Sequence, residues 1–175
     1  MDNFAGLIET EIPRLRRYAR ALHRWDVSTA DDLVQDTLAR AVAKQHLWQP
    51  GTNLRAWLFT VMHNQYVNYV RRTAREGTAI DIEDVHNLLV SPSDPTVSLL
   101  LRDLRRGLAR LQVEQRQAIL LIGLEGMSYE EVAQILCIPI GTVRSRLSRG
   151  RLQLRQIMGD AAAAAGPALP LALAA

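Results

Sequence analysis

The segment SYEEVAQILCIPIGTVRSRLSR, residues 128–149, constrains the fold of this chain more than any other feature. Two short helices that cross steeply need a small residue in the first, a tight turn, and an apolar residue in the second that points back at the crossing. Ala133, the turn Cys137-Ile138-Pro139 and Val143 provide these. The spacing therefore predicts a helix-turn-helix, whose small core is completed by Val132, Leu136, Ile138 and Leu147.

The turn itself has an unusual residue. The position of Cys137 often requires a left-handed backbone, which favours glycine, so we expect mild strain or a slightly different turn there. We interpret this cysteine as a small, partly buried thiol without a redox role. Pro139 suits the first position of the second helix, where a missing N–H costs nothing.

The second helix of the motif is strongly basic, with five arginines and no acidic residue between residues 138 and 155. On a helical wheel the inward positions are Ile140, Val143, Leu147 and Leu154. The opposite side carries Thr142, Ser145, Arg146 and Arg149, with Arg144, Arg151 and Arg155 on the flanks. Such a face can read base edges in the major groove while its flanks reach phosphates. A solvated basic helix would explain the arginines alone, but the turn and the apolar spacing favour DNA binding.

Apolar residues recur at steps of three and four along the rest of the chain, which predicts an almost wholly helical protein. We expect helices over about residues 4–25, 28–47, 54–75, 97–110, 114–124, 128–136 and 140–157. Ser28 and Thr29 are the expected cap of the second helix and Asn53 that of the third, and Pro13 should kink or divide the first. Trp57 is expected in the core, whereas Tyr66 and Tyr69 fit either the core or a binding surface.

The distribution of charged and helix-breaking residues divides the chain into domains and a linker. Residues 76–97 contain five acids, no Lys or Arg, and the breaker sequence SPSDP, which is typical of a linker. The predicted fold class is all-α: two small helical domains, 1–75 and 98–158, joined by an acidic linker, 76–97, with the helix-turn-helix in the second. The Ala-rich tail, 159–175, is of low complexity, and we expect it to be disordered.

Composition excludes several classes of protein. Hydrophobic residues make up 48% of the chain and charged residues 22%, as in ordinary globular proteins. A single cysteine rules out an internal disulfide, and the four histidines lack metal-ligand spacing. No apolar run reaches the length of a membrane span. We expect a cytoplasmic protein in a reducing compartment, with no cofactor, no metal and no catalytic residues.

Two further stretches complete a larger pattern. DDLVQDTLARA, residues 31–41, predicts an amphipathic helix with Leu33, Val34, Leu38, Ala41 and the next residue Val42 inward, and Asp32, Gln35 and Asp36 outward. GTNLRAWLFTVMHNQYVNYVRR, residues 51–72, joins a polar loop to an aromatic helix with a basic end. With the helix-turn-helix, these closely resemble the extracytoplasmic-function (ECF) sigma factors of bacterial RNA polymerase. The resemblance spans about residues 5–157, in the order region two, linker, region four, and the segment QPGTNLRAWLF is similar to the group used in the general stress response of alphaproteobacteria.

The resemblance implies a role for each surface. The core polymerase would be bound by Asp32, Gln35 and Asp36. The melted non-template strand of the minus-ten element would be bound by Lys44, Trp48, Asn53, Asn64, Asn68, Arg71 and Arg72, since a melted strand needs a base pocket, stacking surface and positive charge. The duplex minus-thirty-five element would be bound by Arg144, Ser145, Ser148 and Arg149, to which the helical wheel adds Thr142 and Arg146. The linker would thread through the polymerase, and an anti-sigma factor would control the protein.

Two other function classes fit parts of the sequence. A conventional helix-turn-helix regulator with an N-terminal sensing or dimerisation domain would explain the second domain, and binding to core polymerase would distinguish it from a sigma factor. A nucleic-acid enzyme would need a metal-binding carboxylate cluster, a phosphate-binding glycine loop or an activated nucleophile. Asp31, Asp32 and Asp36 come nearest to such a cluster, but without a supporting histidine.

Overall fold

The computed structural model describes residues 4–76 and 95–164, and every regular element within them is helical. The N-terminal domain consists of α1 (Phe4–Leu22), α2 (Val27–Ala43), a 3-10 turn (Gln45–Leu47) and α3 (Leu54–Glu76). The C-terminal domain consists of α4 (Pro95–Arg110), α5 (Val113–Ile119), a π-helical turn (Leu120–Leu124), α6 (Tyr129–Leu136) and α7 (Ile140–Ala164). Most of the predicted linker and the end of the tail lie outside the described residues.

The N-terminal domain packs α1 and α3 against α2 around a mostly apolar centre. Its most buried large side chains are Leu15, Leu22, Leu58, Phe59 and Met62. The Tyr18 ring meets the Phe59 ring edge to face, with 5.2 Å between their centroids. Thr37 is also fully buried, and its hydroxyl donates to the carbonyl of Leu33 at 2.7 Å, so it adds no unsatisfied polar group to this core.

The C-terminal domain places α7 against α4, α5 and α6. Glycine allows two of these helix crossings to be close. A Cβ atom on Gly150 would lie 2.9 Å from the Ile119 side chain, and one on Gly107 would lie 2.6 Å from that of Leu154. A larger residue at either position would force the neighbouring side chain to shift, so the reason for each glycine is packing and not backbone conformation.

Several local expectations are confirmed and others are wrong. Asn53 caps α3, as predicted, because its side-chain oxygen accepts the N–H of Ala56 at 3.1 Å. The cap of α2 is Asp26 and not the Ser28-Thr29 pair, whose backbone N–H groups instead donate to the Asp26 carboxylate. Pro13 lies within an unbroken α1.

Two residues predicted to face inward are exposed. Val42 and Ile140 have 52% and 37% of their surface accessible. Each lies at or next to a helix end. Helical periodicity fixes the direction of a side chain but does not show whether another element reaches it.

Candidate functional site

The outward face of α2 is open. Asp32, Gln35 and Asp36 are all exposed, whereas Leu33 and Val34 between them are buried against the domain core. The helix thus presents two carboxylates and an amide on one side and is held rigidly by the other. This agrees with the outward face predicted from the sequence, and it suits a binding surface for a positively charged partner.

The entrance to α3 combines aromatic surface with a polar cap. Trp48 is partly buried and packs on Phe4, with 5.4 Å between ring centroids. Trp57 meets the same Phe4 ring edge to face at 6.2 Å and packs against the core, as predicted. Asn53 uses its oxygen for the helix cap, so its amide nitrogen remains as a donor for another partner.

The remaining residues assigned to a single strand lie along α3 and at the end of α2. Asn64, Asn68, Arg71 and Arg72 are exposed. The steps from Asn64 to Asn68 and from Asn68 to Arg71 and Arg72 are three or four residues, so these side chains share one helix face. Lys44 is partly buried at the C-terminal end of α2, away from this row in sequence but within the same domain.

The two tyrosines left open by the sequence pack inside the N-terminal domain. Their rings enclose His23, with centroid distances of 5.3 Å to Tyr66 and 5.2 Å to Tyr69. Burial lowers the pKa of His23 to about 4, with nearby Arg116 acting in the same direction and Asp26 against it. Burial also raises the pKa of Tyr66. These rings therefore act first as packing around a neutral histidine.

The helix-turn-helix forms as predicted. Cys137 adopts the left-handed backbone, at φ 52° and ψ 46°, and the N–H of Ile138 donates to the carbonyl of Ala133 at 3.0 Å. Val132 and Val143 are fully buried at the crossing. The cysteine thiol is exposed, which corrects the expectation that it would be partly buried. The thiol donates to the carbonyl of Gln134 at 3.5 Å.

The first helix of the motif begins with a capping box. The Ser128 hydroxyl accepts the Glu131 N–H at 3.1 Å, and the Glu131 carboxylate accepts the Ser128 N–H at 2.8 Å. This satisfies two of the donors that a helix leaves open at its start. It also fixes the Glu131 side chain at the N-terminal edge of α6.

The outward face of α7 contains the residues predicted to read DNA. Arg144, Ser148 and Arg149 are exposed, whereas Thr142, Ser145 and Arg146 are partly buried. The guanidinium of Arg149 donates to the Ser145 hydroxyl at 3.2 Å and to its carbonyl at 3.3 Å. Arg144 stacks over the Tyr129 ring at 5.8 Å. The structure thus brings Ser145 and Arg149 together as one preorganised pair.

Sequence reasoning missed a buried carboxylate that joins the two domains. The Glu125 side chain, which follows the π-helical turn, has none of its surface accessible. One of its oxygens accepts two hydrogen bonds from Arg17 in α1, at 2.9 and 3.2 Å, and the other lies 3.4 Å from Arg55 in α3. Arg55 also donates to the Glu125 backbone carbonyl. An acid inside the apolar run LLIGLEGM was the only sequence signal for this site.

Further polar contacts cross the same boundary. The amide of Asn53 donates to the Glu131 carboxylate at 2.6 Å, and buried Arg116 donates to the carbonyl of Leu22 at 3.1 Å. Gln117 lies within hydrogen-bond distance, 3.3 Å, of the His63 ring. Burial lowers the pKa of His63, and Arg146 acts in the same direction. The two domains are therefore closed on each other through specific side chains.

Two other kinds of site are absent from residues 4–76 and 95–164. These residues contain no group of three or more His, Cys, Asp or Glu side chains that could hold a metal ion. None of the helices described is long and apolar enough to cross a membrane.

Comparisons with known proteins match both domains. Residues 8–63 match the family described as the Sigma2 domain of PhyR, and residues 101–154 match sigma-70 region 4. The ECF RNA polymerase sigma factor EcfG of Rhodopseudomonas palustris is 37% identical over 90% of this chain and 86% of its own length. The RNA polymerase sigma factor CarQ of Myxococcus xanthus is 28% identical over 91% of each chain.

Solved structures show the same similarity. The sigma factor RpoE of Bartonella quintana, determined in complex with the anti-sigma factor NepR, is 36% identical, with a TM-score of 0.78 over 91% of this chain and 98% of its own. CnrH, in complex with the cytosolic domain of CnrY, is 24% identical with a TM-score of 0.65 over 90% of this chain and 88% of its own, which shows a shared fold. Each comparison extends over both helical domains.

Proposed function

Because this chain belongs to the ECF family of RNA polymerase sigma factors, which bind core RNA polymerase and promoter DNA to start transcription, we propose how its surfaces divide these tasks. The protein contributes binding and no bond chemistry of its own. It acts in the cytoplasm, where the polymerase is. The observation that carries the proposal is the pair of matched domains, each with an exposed polar face of the kind that its task needs.

The α2 face binds core polymerase. Asp32, Gln35 and Asp36 stand exposed on a helix whose opposite side is locked into the core. Two carboxylates on a rigid surface offer strong acceptors to arginine or lysine on the polymerase without a large ordering cost. No other part of the domain needs to move for this contact to form.

The entrance and outer face of α3 bind the melted minus-ten strand. Trp48 and Asn53 lie at the start of the helix, and the other residues along the proposed path of the strand are the partly buried Lys44 and the exposed Asn64, Asn68, Arg71 and Arg72. An extruded base would use the amide donor of Asn53 and the aromatic surface, while the cations contact phosphates. Melting is then driven by tighter binding to the single strand than to the duplex.

The outward face of α7 binds the duplex minus-thirty-five element. Ser145 and Arg149 are the central pair, because the hydrogen bonds between them already hold the guanidinium in place. Thr142, Arg144, Arg146 and Ser148 surround that pair on the same helix. Arginine suits bidentate contact with guanine, so Arg149 is expected to carry base preference.

Regulation is proposed to be through an anti-sigma factor. The support is the similarity, over nearly the whole chain, to a sigma factor whose structure was determined with the anti-sigma factor NepR. We further assign the chain to the type used in the alphaproteobacterial general stress response. The boundaries 1–75, 76–97, 98–158 and 159–175 remain our proposed division into region two, linker, region four and tail.

The decisive experiment reconstitutes the protein with core polymerase and maps transcription starts across a genome. We expect starts that share two upstream elements and depend on this protein. Arg149→Ala should change promoter choice, with a loss of about 1–3 kcal/mol at sites whose guanine it reads. Arg151→Ala, at an exposed flank of the same helix, should weaken all sites about equally. Tight footprints by the free protein together with indifference to core polymerase would contradict the proposal and indicate a conventional regulator.

A further inference from the structure

Around Glu125 and Glu131, the boundary between the domains is asymmetric in charge. Here the C-terminal domain contributes the two carboxylates, and the N-terminal domain contributes donors, Arg17, Arg55 and Asn53. The arginines that bind the Glu125 side chain both come from the other domain, across sequence separations of 70 and 108 residues. Domain packing, and not the fold of the C-terminal domain alone, therefore satisfies this buried acid.

The Asn53 contact occupies a donor needed elsewhere. Asn53 binds its own helix through Oδ1, and its amide nitrogen donates a hydrogen bond to Glu131 Oε1, 2.6 Å away. A base in the proposed minus-ten site would offer a carbonyl or ring-nitrogen acceptor to the same amide. A carboxylate is a stronger acceptor than either, because it is charged. The amide has two N–H groups, and a base that approaches the one bound to Glu131 must displace the carboxylate.

Two arginines, Arg55 and Arg17, also bind a carboxylate for which nucleic acid could substitute. Arg55 is the second residue of α3, close to Asn53, and it donates to both the side chain and the backbone of Glu125. Arg17 remains about half exposed, so water and salt weaken its ion pair. Phosphates of a strand following α3 would compete with Glu125 for both guanidinium groups.

From these contacts we propose that Glu125 and Glu131 are intramolecular decoys for nucleic acid, which hold the two domains closed and occupy the donors at the entrance of α3 until the domains separate. The inference rests on the proposed function of that entrance. Asn53 is itself exposed, so the decoy competes for its hydrogen bond and does not bury it. A strand can therefore displace Glu131, and opening is reversible because each freed group is then hydrated.

The test uses the full chain without polymerase. The probe is a fluorescein-labelled single strand of 14 nucleotides with six randomised central positions, and fluorescence anisotropy measures its affinity. The variant Glu125→Gln/Glu131→Gln removes both charges, and glutamine at 131 retains the capping box with Ser128. Its matched control is Glu114→Gln/Glu130→Gln, which removes two charges from exposed positions of the same domain.

We expect the decoy variant to bind the strand about tenfold more tightly than the control, because apparent affinity scales with the fraction of open molecules. Its radius of gyration from small-angle X-ray scattering should rise, while that of the control should not. Glu131→Gln alone, at a partly exposed position, should give a smaller gain and serves if the double variant fails to fold, which circular dichroism would reveal.

Two outcomes overturn the proposal. If the decoy variant keeps the wild-type radius of gyration and affinity, the carboxylates do not hold the domains closed. If the radius rises but affinity does not exceed that of the control, closure does not compete with nucleic acid. Neither measurement depends on transcription. Failure of the proposed function would be seen separately, because the wild-type protein would then not bind core polymerase or start transcription.

Discussion

One polar surface of the N-terminal domain is exposed, whereas another is in contact with the C-terminal domain. The face of α2 around Asp32 and Asp36 is exposed and directed to solvent. The entrance of α3 meets the C-terminal domain, where Asn53 and Arg55 already donate to carboxylates. Under the roles proposed above, the closed chain keeps its polymerase-binding face exposed while the donors for the single strand are engaged. Binding to polymerase could then precede, and help to drive, separation of the domains.

The largest expected effect concerns the open face. Asp36→Arg should weaken binding to core polymerase by about 2–4 kcal/mol, since it replaces an attractive interfacial charge with a repulsive one. Surface plasmon resonance with immobilised core enzyme would measure this. Glu9→Arg makes the same charge change at an exposed site on α1 and is the control. Equal losses in the two variants would mean that net charge, not the α2 face, governs the interaction.

The next effect concerns the closed side. Arg116 is 3% exposed and donates to the carbonyl of Leu22 in α1 and, at 3.5 Å, to that of Leu111. Arg116→Ala should lower the free energy of unfolding by about 2–3 kcal/mol, because it removes charge-assisted hydrogen bonds and leaves buried carbonyls unpaired. Urea denaturation followed by circular dichroism is the measurement.

Its control is Arg106→Ala, at an exposed position of α4, which should change stability by less than about 0.5 kcal/mol. A similar stability for the two variants would show that the hydrogen bonds of Arg116 across the domain boundary stabilise the chain no more than an exposed arginine does. The proposal that polymerase binds before the domains separate would then lose the support that it draws from a stable domain boundary.

Local features of this structure followed from the sequence. The turn at Cys137, the cap at Asn53 and the outward set on α2 each depend on residues a few positions apart, and all three are found. The prediction for the cap of α2 is wrong because three nearby polar residues, Asp26, Ser28 and Thr29, could each accept an N–H. Only the backbone path, with Asp26 at ψ 110° before the helix begins, selects one of them.

The contacts between the domains could not be predicted in the same way. Glu125 and its partner Arg17 are 108 residues apart, and neither residue type nor spacing links them. An acid in an apolar run indicates only that some partner exists. Helical periodicity predicts which residues share a face with the proposed DNA-reading residues. It does not predict which hydrogen-bond donors are already engaged in the closed chain, because that depends on tertiary packing.

Lowering the pH should reduce the free energy of unfolding by less than the Arg116 substitution does. Folded His23 has a pKa of about 4, below its ordinary value of 6.5, so between these values the unfolded chain binds a proton that the folded chain does not. The free energy of unfolding must therefore fall as pH falls, by about 1.3 kcal/mol from pH 7.5 to 5.5 for this group alone. His63, whose pKa is also lowered, contributes in the same direction.

Urea denaturation at several pH values would measure this dependence. His23→Gln should flatten it, because glutamine does not titrate, whereas His46→Gln, at an exposed position of the 3-10 turn, should leave it unchanged. If the slope persists without His23 and His63, other groups carry it, and the pair of buried histidines has no part in the closed state.

The smallest effect concerns how the open face is held. Asp26 accepts N–H groups from Ser28 and Thr29 and the Thr29 hydroxyl, and that hydroxyl contact is the main reason why its pKa is lowered. Asp26→Ala should cost about 1 kcal/mol of stability, whereas Ser28→Ala should cost little. Affinity for core polymerase should hardly change, because Asp32 lies more than one turn beyond the cap and is fixed by the buried side of α2. A polymerase defect larger than the loss of stability would instead mean that the first turn of α2 belongs to the binding face.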